Sequence, residues 1–314
     1  MFNRRRSGSI TVVQSLSKRL GFHFGVNKRT LPQQRASTGI LFALPLLIFE
    51  GGLLFFPIVE TFYYSLTTWN GLSAQFVGLS NYTSLFSDPI FWRILANDGI
   101  LLLSIPIAIM IPLGTAFLLQ RHVTGWKFFQ SAFYLPTVIS WVVIGMVAVQ
   151  VFAGQGVLNR FLSLFGLHQN MLAHPVSALI VIIIAFIWSL FGSNMVIFIG
   201  GMATMAPELY EAARIDGANE LKTFWYITVP LLRRFIQFNF ILTLITAFTG
   251  LFSLIFVMTG GGPGFGTTTL EFFIYQQAFD SGAFGEAATL GVVLFVLMFA
   301  VTLFQVPLLL REDD

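Results

Sequence analysis

The chain has 314 residues and a net charge of +3, and 56% of its residues are hydrophobic while only 10% are charged. Soluble domains carry about 25% charged residues, so this composition excludes an ordinary soluble protein and indicates a membrane protein. The sequence contains no cysteine, which excludes disulfides, a thiolate nucleophile and a cysteine-bound metal.

Six long apolar stretches dominate the sequence. A helix needs about 20 apolar residues to cross a hydrocarbon core of roughly 30 Å, and the stretches lack the alternating pattern of barrel strands. The sequence therefore predicts an all-α, polytopic membrane protein with a six-helix domain at 38–310, a basic tail at 1–37 and a short tail at 311–314. The predicted spans are 38–66, 99–119, 133–152, 176–198, 235–258 and 287–310.

The basic residues predict the orientation of this domain. Fifteen lysines and arginines lie in the two tails and in the second and fourth connections, whereas Arg93 and Arg160 lie on the opposite side. Loops rich in lysine and arginine stay in the cytoplasm, so both termini are predicted to be cytoplasmic. These residues flank spans and form no nucleic-acid-reading motif, so the expected partner is the lipid bilayer and not a nucleic acid.

Glu50 is an unusual residue in the first span. A carboxylate inside an apolar span is costly unless it meets water, a partner or a proton. Glu50 is therefore a candidate for a solute path or for contact with another subunit. The alternative is that the span is shifted and Glu50 lies nearer to its outer end.

The third, fourth and fifth spans contain further candidates for a solute path. Amide, hydroxyl and aromatic side chains suit a small polar solute, although each is also common in helix packing or at the membrane interface. The candidates are Trp141, Gln150, Trp188, Ser193, Asn194, Thr243, Thr246 and Thr249.

The fourth connection, residues 200–234, has the signals of two short helices. Pro207 suits a first helical position, and Gly217 suits the left-handed residue that ends a helix. Asn219 can cap a second helix, which we expect to end before Pro230 breaks the chain. A helix this short needs a surface to pack on, either another subunit or the chain's own spans. One face of the first helix is formed by Leu209, Ala212, Ala213 and Asp216.

A glycine-rich run at 259–269 has part of the pattern of a phosphate-binding loop. Gly261 and Gly266 have the required spacing, but the lysine that should follow is Thr267. We therefore expect a mobile turn on the outer side of the membrane and no nucleotide bound by this chain. The four histidines are scattered and no H-E-x-x-H or G-x-S-x-G motif occurs, so no metal site and no catalytic residue is predicted.

The segment from Glu211 to Pro230 resembles the EAA signature of permease subunits in binding-protein-dependent ABC importers. Glu211-Ala212-Ala213 is followed by Gly217, Ile227 and Val229-Pro230 at the family's spacing, with valine where the family has leucine. The resemblance covers most of the chain from about residue 38. The glycine-rich run and the pairs Leu135-Pro136 and Leu158-Asn159 are similar to the sugar-type branch, which includes permeases for maltose, other oligosaccharides and glycerol 3-phosphate.

The resemblance implies a half-transporter that works with other subunits. Its coupling helix would dock in a cleft of a separate ATPase, with Glu211, Ala212, Ala213 and Gly217 as the core and with Arg214 and Asp216 as polar partners. The implied partners are a second permease, two ATPase subunits that bind ATP and Mg²⁺, and an extracytoplasmic solute-binding protein. The implied location is the plasma membrane of a bacterium or archaeon. The chain itself would hold no cofactor and would catalyse no reaction.

Two other functions stay open from the sequence. An independent secondary transporter or channel could use Glu50 for ion coupling, but it would leave the 200–234 connection without a role and would need an inverted repeat that is not apparent. A membrane-embedded enzyme would need a cluster of titratable residues in the spans, which the sequence lacks.

Overall fold

The computed structural model of the protein describes residues 31–120 and 125–310. Most of the predicted tail at 1–37 and all of the predicted tail at 311–314 lie outside the described residues. The described residues up to Val59 belong to one compact unit, and those from Glu60 onward belong to a second.

The described residues fold mainly into helices joined by short turns. Three π-helical turns, at Gly51–Phe55, Phe224–Thr228 and Gln276–Asp280, lie between the helices. The α-helices are α1 Leu31–Glu50, α2 Phe56–Tyr64, α3 Ser80–Ser87, α4 Pro89–Leu103, α5 Ile105–Leu119, α6 Trp126–Val138, α7 Trp141–Phe152, α8 Val157–Ser163, α9 Pro175–Met202, α10 Pro207–Ile215, α11 Glu220–Thr223, α12 Val229–Leu231, α13 Arg233–Met258, α14 Leu270–Tyr275 and α15 Phe284–Leu310.

Six helical segments of the described chain are long and apolar enough to cross a membrane, which confirms the predicted all-α, six-span architecture. Several of them combine two consecutive helices. The segments are Gly39–Tyr64, Pro89–Leu119, Trp141–Ser163, Pro175–Met202, Arg233–Met258 and Phe284–Leu303.

The second span begins at Pro89, so the predicted start at residue 99 is wrong. The Asp88 side chain accepts a hydrogen bond from the Ile90 backbone N–H at 2.9 Å and caps α4, with Pro89 at its first position. The polar residues Arg93 and Asp98 interrupt the apolar pattern in this part of the helix, which is why hydropathy alone misses it.

The third span begins at Trp141, so the predicted start at residue 133 is wrong. Residues 133–138 belong to α6, which ends where Ile139 adopts an extended backbone. Ser140 then caps α7 by accepting a hydrogen bond from the Val143 N–H at 3.4 Å. Two apolar helices that follow one another without a polar connection therefore read as a single run in the sequence.

The core lies where α5, α7, α9 and α13 pack together. Glycines allow close approach between these helices and their neighbours, as is usual in membranes. A Cβ atom at Gly192 of α9 would lie 2.5 Å from the Cα of Tyr134 in α6, and one at Gly250 of α13 would lie 2.9 Å from the ring of Trp141. The largest fully buried side chains of this core include Phe186, Phe198, Leu113, Ile144 and Met195.

Candidate functional site

Helix α10, in the 200–234 connection, has a defined start and a defined end. Pro207 and Glu208 occupy its first turn, where a missing N–H costs nothing and a negative charge is favourable. At its end Gly217 has φ +76°, which confirms the predicted left-handed residue. The Ala218 N–H donates to the Ala213 carbonyl at 2.9 Å and the Gly217 N–H donates to the Arg214 carbonyl at 3.1 Å. This is a Schellman motif, which satisfies the last carbonyl groups of the helix.

The chain then turns into α11 and a π-helical turn. The Asn219 side chain accepts a hydrogen bond from the Lys222 N–H at 2.9 Å, which confirms the predicted cap. The predicted break at Pro230 is wrong, because Pro230 lies within α12 and the break falls at Leu232, with φ −86° and ψ 5°. A proline in the first turn of a helix has no lost hydrogen bond, so α12 accommodates it.

One side of α10 is anchored inside the chain. Ala213 is only 6% exposed. The Tyr210 hydroxyl lies 3.2 Å from the Met205 sulfur and 3.4 Å from the Thr228 hydroxyl, and Thr228 is fully buried. These contacts fix which way the helix faces, because they hold its Tyr210–Ala213 side against the rest of the connection.

The opposite side of α10 is exposed, and we call it the outer face: Glu208, Glu211, Ala212 and Ile215, which share one side of the helix at three- and four-residue spacing. Ile215 is 86% exposed. Sequence reasoning missed Ile215, although it lies four residues after Glu211. The predicted face is divided, since Ala213 packs inside while Ala212, Leu209 and Asp216 are exposed.

Two of the predicted path residues, Asn194 and Thr243, come together in the helix packing. The Asn194 side-chain amide donates to the Ala108 carbonyl at 2.9 Å and to the Thr243 hydroxyl at 3.4 Å. Both residues are almost completely buried. The contact links α9 to α5 and α13.

The hydroxyl groups of three other candidates bond to their own helices. Ser193 donates to the Leu190 carbonyl at 2.9 Å, and Thr246 donates to the Leu242 carbonyl at 2.7 Å. Thr249 donates to the Ile245 carbonyl at 3.2 Å. Their hydrogen-bonding capacity is therefore partly used within the helix backbone.

The remaining candidates of α7 and α9 lie in different surroundings. The Trp141 ring is stacked with the Phe186 ring at 6.0 Å between centroids, whereas Gln150 is exposed. Trp188 is 41% exposed and borders an apolar cavity of about 270 Å³ between α7 and α9, with Phe152 and Ile184. The described residues thus show the candidates spread over several helices, with direct contact between Asn194 and Thr243.

Glu50 is the last residue of α1, just before the π-helical turn at Gly51–Phe55. The Phe56 N–H donates to the Gly51 carbonyl five residues earlier, and Pro57, which has no N–H to donate, follows directly. Glu50 is half-buried and lies near the middle of the span Gly39–Tyr64.

The glycine-rich turn, residues 259–269, lies at the other end of α13 from the 200–234 connection. The 26 residues of α13 place these two regions about 39 Å apart along the helix. Thr267, Thr268 and Thr269 are at most 1% exposed. The side-chain amide of Asn97 in α4 donates to the carbonyls of Phe265 and Thr268, both at 2.9 Å. The expectation of a mobile turn is therefore wrong, because the turn is buried and hydrogen-bonded to a span.

The six spans, the exposed helix α10 and the packed turn define the class of protein: a multi-pass, all-α membrane protein with a structured connection between its spans. The fold matches a solved chain of a bacterial ABC transporter that imports the acidic polysaccharide alginate, with a TM-score of 0.78 and 22% identity over 90% of this chain and 98% of that one.

Residues 35–311 match the family described as binding-protein-dependent transport system inner membrane component, and the chain belongs to this family. It is 35% identical over 277 residues to the probable ABC transporter permease protein YurN of Bacillus subtilis, covering 84% of this chain and 93% of that protein. It is 31% identical over 274 residues to the multiple sugar-binding transport system permease protein MsmF of Streptococcus mutans, covering 86% and 94%.

Family membership confirms several predictions made from the sequence. The chain is a multi-pass inner-membrane permease of a binding-protein-dependent ABC importer. Such a permease works with a second permease, with ATPase subunits and with a solute-binding protein.

Proposed function

We propose that the chain forms half of the translocation path for a sugar or a related small polar solute in an ATP-driven importer. The similarity to MsmF, a multiple sugar-binding transport system permease protein, supports a sugar. The sparse charge of the predicted outer side, Arg93 and Arg160, also favours a neutral solute over a phosphorylated one.

The outer face of α10 docks on the partner ATPase and couples ATP hydrolysis to the spans. The observation that carries this proposal is Ile215, an 86% exposed isoleucine on a short helix that is anchored from its other side. Glu211, Ala212 and Ile215 make the contact, and Arg214 and Asp216 flank it. Ala213 and Gly217 position the helix, one by packing inside and the other by its left-handed backbone.

This role requires α10 and both termini to lie in the cytoplasm, as the lysine and arginine distribution predicts. Two ATPase subunits then bind ATP and Mg²⁺, and the chain itself holds no cofactor and hydrolyses no nucleotide. Alternating access follows if the ATP-bound and ATP-free ATPase pairs favour different packings of the spans.

The rival function is a secondary transporter or channel that uses Glu50 for ion coupling. The position of Glu50 near mid-span is compatible with it. It leaves the exposed, anchored helix α10 without a partner, and it does not agree with the family to which the chain belongs.

The test is to purify the protein through a C-terminal tag from native membranes, identify the co-purifying proteins, and reconstitute the assembly in liposomes. We expect a second permease and an ATPase, and uptake that requires ATP and the solute-binding protein. The Glu50→Gln variant should import at the normal rate. Uptake without ATP by the chain alone, abolished in Glu50→Gln, would establish the rival function instead.

A further inference from the structure

Helix α8, in the connection between α7 and α9, has an apolar side that the rest of the described chain leaves uncovered. Four large side chains share this side, and each is more than half exposed: Val157, Phe161, Leu164 and Phe165. Their spacing of three and four residues aligns them along one side of the helix. Leu164 follows the last helical residue and keeps helical backbone angles. We call these four residues the apolar side of α8.

The opposite side of α8 is anchored inside the chain. Leu158, Asn159 and Leu162 are half-buried there. The Asn159 side-chain amide donates to the Gly154 carbonyl, and its oxygen accepts a hydrogen bond from the Gln169 N–H at 2.7 Å. Asn159 therefore holds the residues before and after α8 together. These contacts fix how the helix is turned, so its apolar side must face away from the chain.

The start of α8 lies beside the end of a membrane-crossing helix. The Gly156 N–H donates to the Ala153 carbonyl at 2.7 Å, which closes a tight turn after α7. A Cβ atom at Gly156 would lie 2.5 Å from the Val151 carbonyl oxygen, so the chain passes directly against the last turn of α7. Helix α8 therefore begins level with the predicted outer end of the third span, at the boundary between the hydrocarbon and the lipid headgroups.

Arg160 adds a positive charge beside the apolar side of α8. It is exposed and forms no ion pair in the part of the chain that the structure describes. A guanidinium group binds phosphate oxygens in pairs, and helices with Phe and Leu on one side and Arg beside them lie in the membrane interface. A soluble partner that came and went would leave this apolar surface in water, which is unfavourable. Lipid would cover it permanently.

We propose that the apolar side of α8 is a lipid-binding surface on the predicted outer side of the membrane. Its four side chains insert between acyl chains, and Arg160 binds the phosphate group of a phospholipid. Because Asn159 and Gly156 join α8 firmly to the end of α7, this contact sets how deeply the third span sits in the bilayer.

The test measures the surroundings of α8 in the assembled transporter, in nanodiscs of phosphatidylethanolamine and phosphatidylglycerol. Phe161→Cys and Leu164→Cys each carry a nitroxide spin label, with the other subunits free of cysteine. Paramagnetic resonance compares collisions with oxygen, which concentrates among acyl chains, and with a nickel chelate, which stays in water. We expect an oxygen-to-nickel ratio several-fold higher at both positions than in the control Leu72→Cys, whose side chain is 97% exposed. Gel filtration shows whether each variant forms the intact assembly.

The phosphate contact is tested with a second substitution next to the label. Arg160→Gln should reduce the oxygen-to-nickel ratio at position 164, because α8 then moves toward the water. Arg160→Lys, which keeps the positive charge, should retain the ratio. An unchanged ratio in Arg160→Gln would contradict the contact with phosphate.

Three other results would overturn the lipid-binding surface. Labels that collide with the nickel chelate until the solute-binding protein is added would assign the surface to that protein. Labels protected from both probes would place it against another subunit, and labels open to water throughout would leave it without a partner. None of these results would affect the proposed importer, which rests on co-purification and ATP-dependent uptake.

Discussion

The 200–234 connection and the glycine-rich turn, residues 259–269, sit at opposite ends of α13, and each contains a left-handed glycine. A Cβ atom at Gly217 would meet nothing within 4 Å, whereas one at Gly261 would lie 2.6 Å from the Thr268 hydroxyl and 2.9 Å from the Phe272 ring. The backbone requirement is the same, but the surroundings differ. The first region leaves room for another molecule, and the second completes the chain's own packing.

The largest expected effect is that of Gly261→Ala. The methyl group would be strained at φ +83° and would overlap Thr268 and Phe272, so we expect a loss of about 3 kcal/mol or more in the free energy of unfolding. Thermal unfolding of the purified protein measures it. The matched control is Gly260→Ala, at φ +57° with open space around it, which should cost only about 1–2 kcal/mol. Equal losses would show that the packing around Gly261 contributes nothing.

Asn97→Leu tests whether the turn is held by α4. The substitution removes the donor to two carbonyl groups, of Phe265 and Thr268. Buried acceptors without partners cost about 1–3 kcal/mol each, so we expect a loss of about 2 kcal/mol or more. Thermal unfolding is again the measurement. Asn170→Leu changes an exposed asparagine and should leave the melting temperature unchanged; an unchanged melting temperature for Asn97→Leu as well would contradict the contact.

Ile215→Ser tests the 200–234 connection. We expect this substitution to reduce transport without changing the free energy of unfolding. An exposed substitution alters stability by about 0.5 kcal/mol or less. We expect ATP-driven uptake to fall about tenfold or more, which corresponds to a loss of roughly 1.4 kcal/mol in the coupled step. Leu72→Ser, at a side chain that is 97% exposed, is the control. Normal uptake by Ile215→Ser would remove Ile215 from the docking surface.

Gly217→Val should cost less stability than Gly261→Ala, because a Cβ atom at Gly217 meets no neighbouring atom within 4 Å. The positive φ at position 217 disfavours any residue with a Cβ atom, and no steric overlap adds to this strain. We therefore expect the free energy of unfolding to fall by about 1–2 kcal/mol and transport to be uncoupled from ATP hydrolysis. Asparagine tolerates this conformation, so Gly217→Asn should keep more of the uptake. Both variants are compared by uptake assays and by thermal unfolding. Equal uptake and equal stability of Gly217→Val and Gly217→Asn would argue against a role for the left-handed backbone.

Local signals predict much of this structure. The six spans follow from apolar length, and Pro207, Gly217 and Asn219 mark the ends of short helices because each satisfies a local backbone requirement. Such features depend on residues within a few positions, so they can be read from the sequence without knowing the tertiary fold.

Features that depend on distant residues could not be predicted. Asn97 bonds to carbonyls that lie 168 and 171 positions away, so nothing near it in the sequence indicates its role. The sequence also predicts the wrong docking face for α10, for the same reason. A pattern of small residues does not show that Tyr210 and Ala213 pack against the chain itself and leave Ile215 exposed. Thr243 and Asn194 suit a polar path by their chemistry, but their contact with one another depends on how the spans pack.

The most direct test of the central claim is a cross-linking experiment in the assembled transporter. The chain contains no cysteine, so Ile215→Cys and Leu72→Cys each give a single site for a photoactivated cross-linker. We predict that position 215 links to the ATPase and that position 72 does not. A cross-link from position 215 to lipid or to the chain's own spans, with none to the ATPase, would contradict the proposal that α10 is the coupling helix.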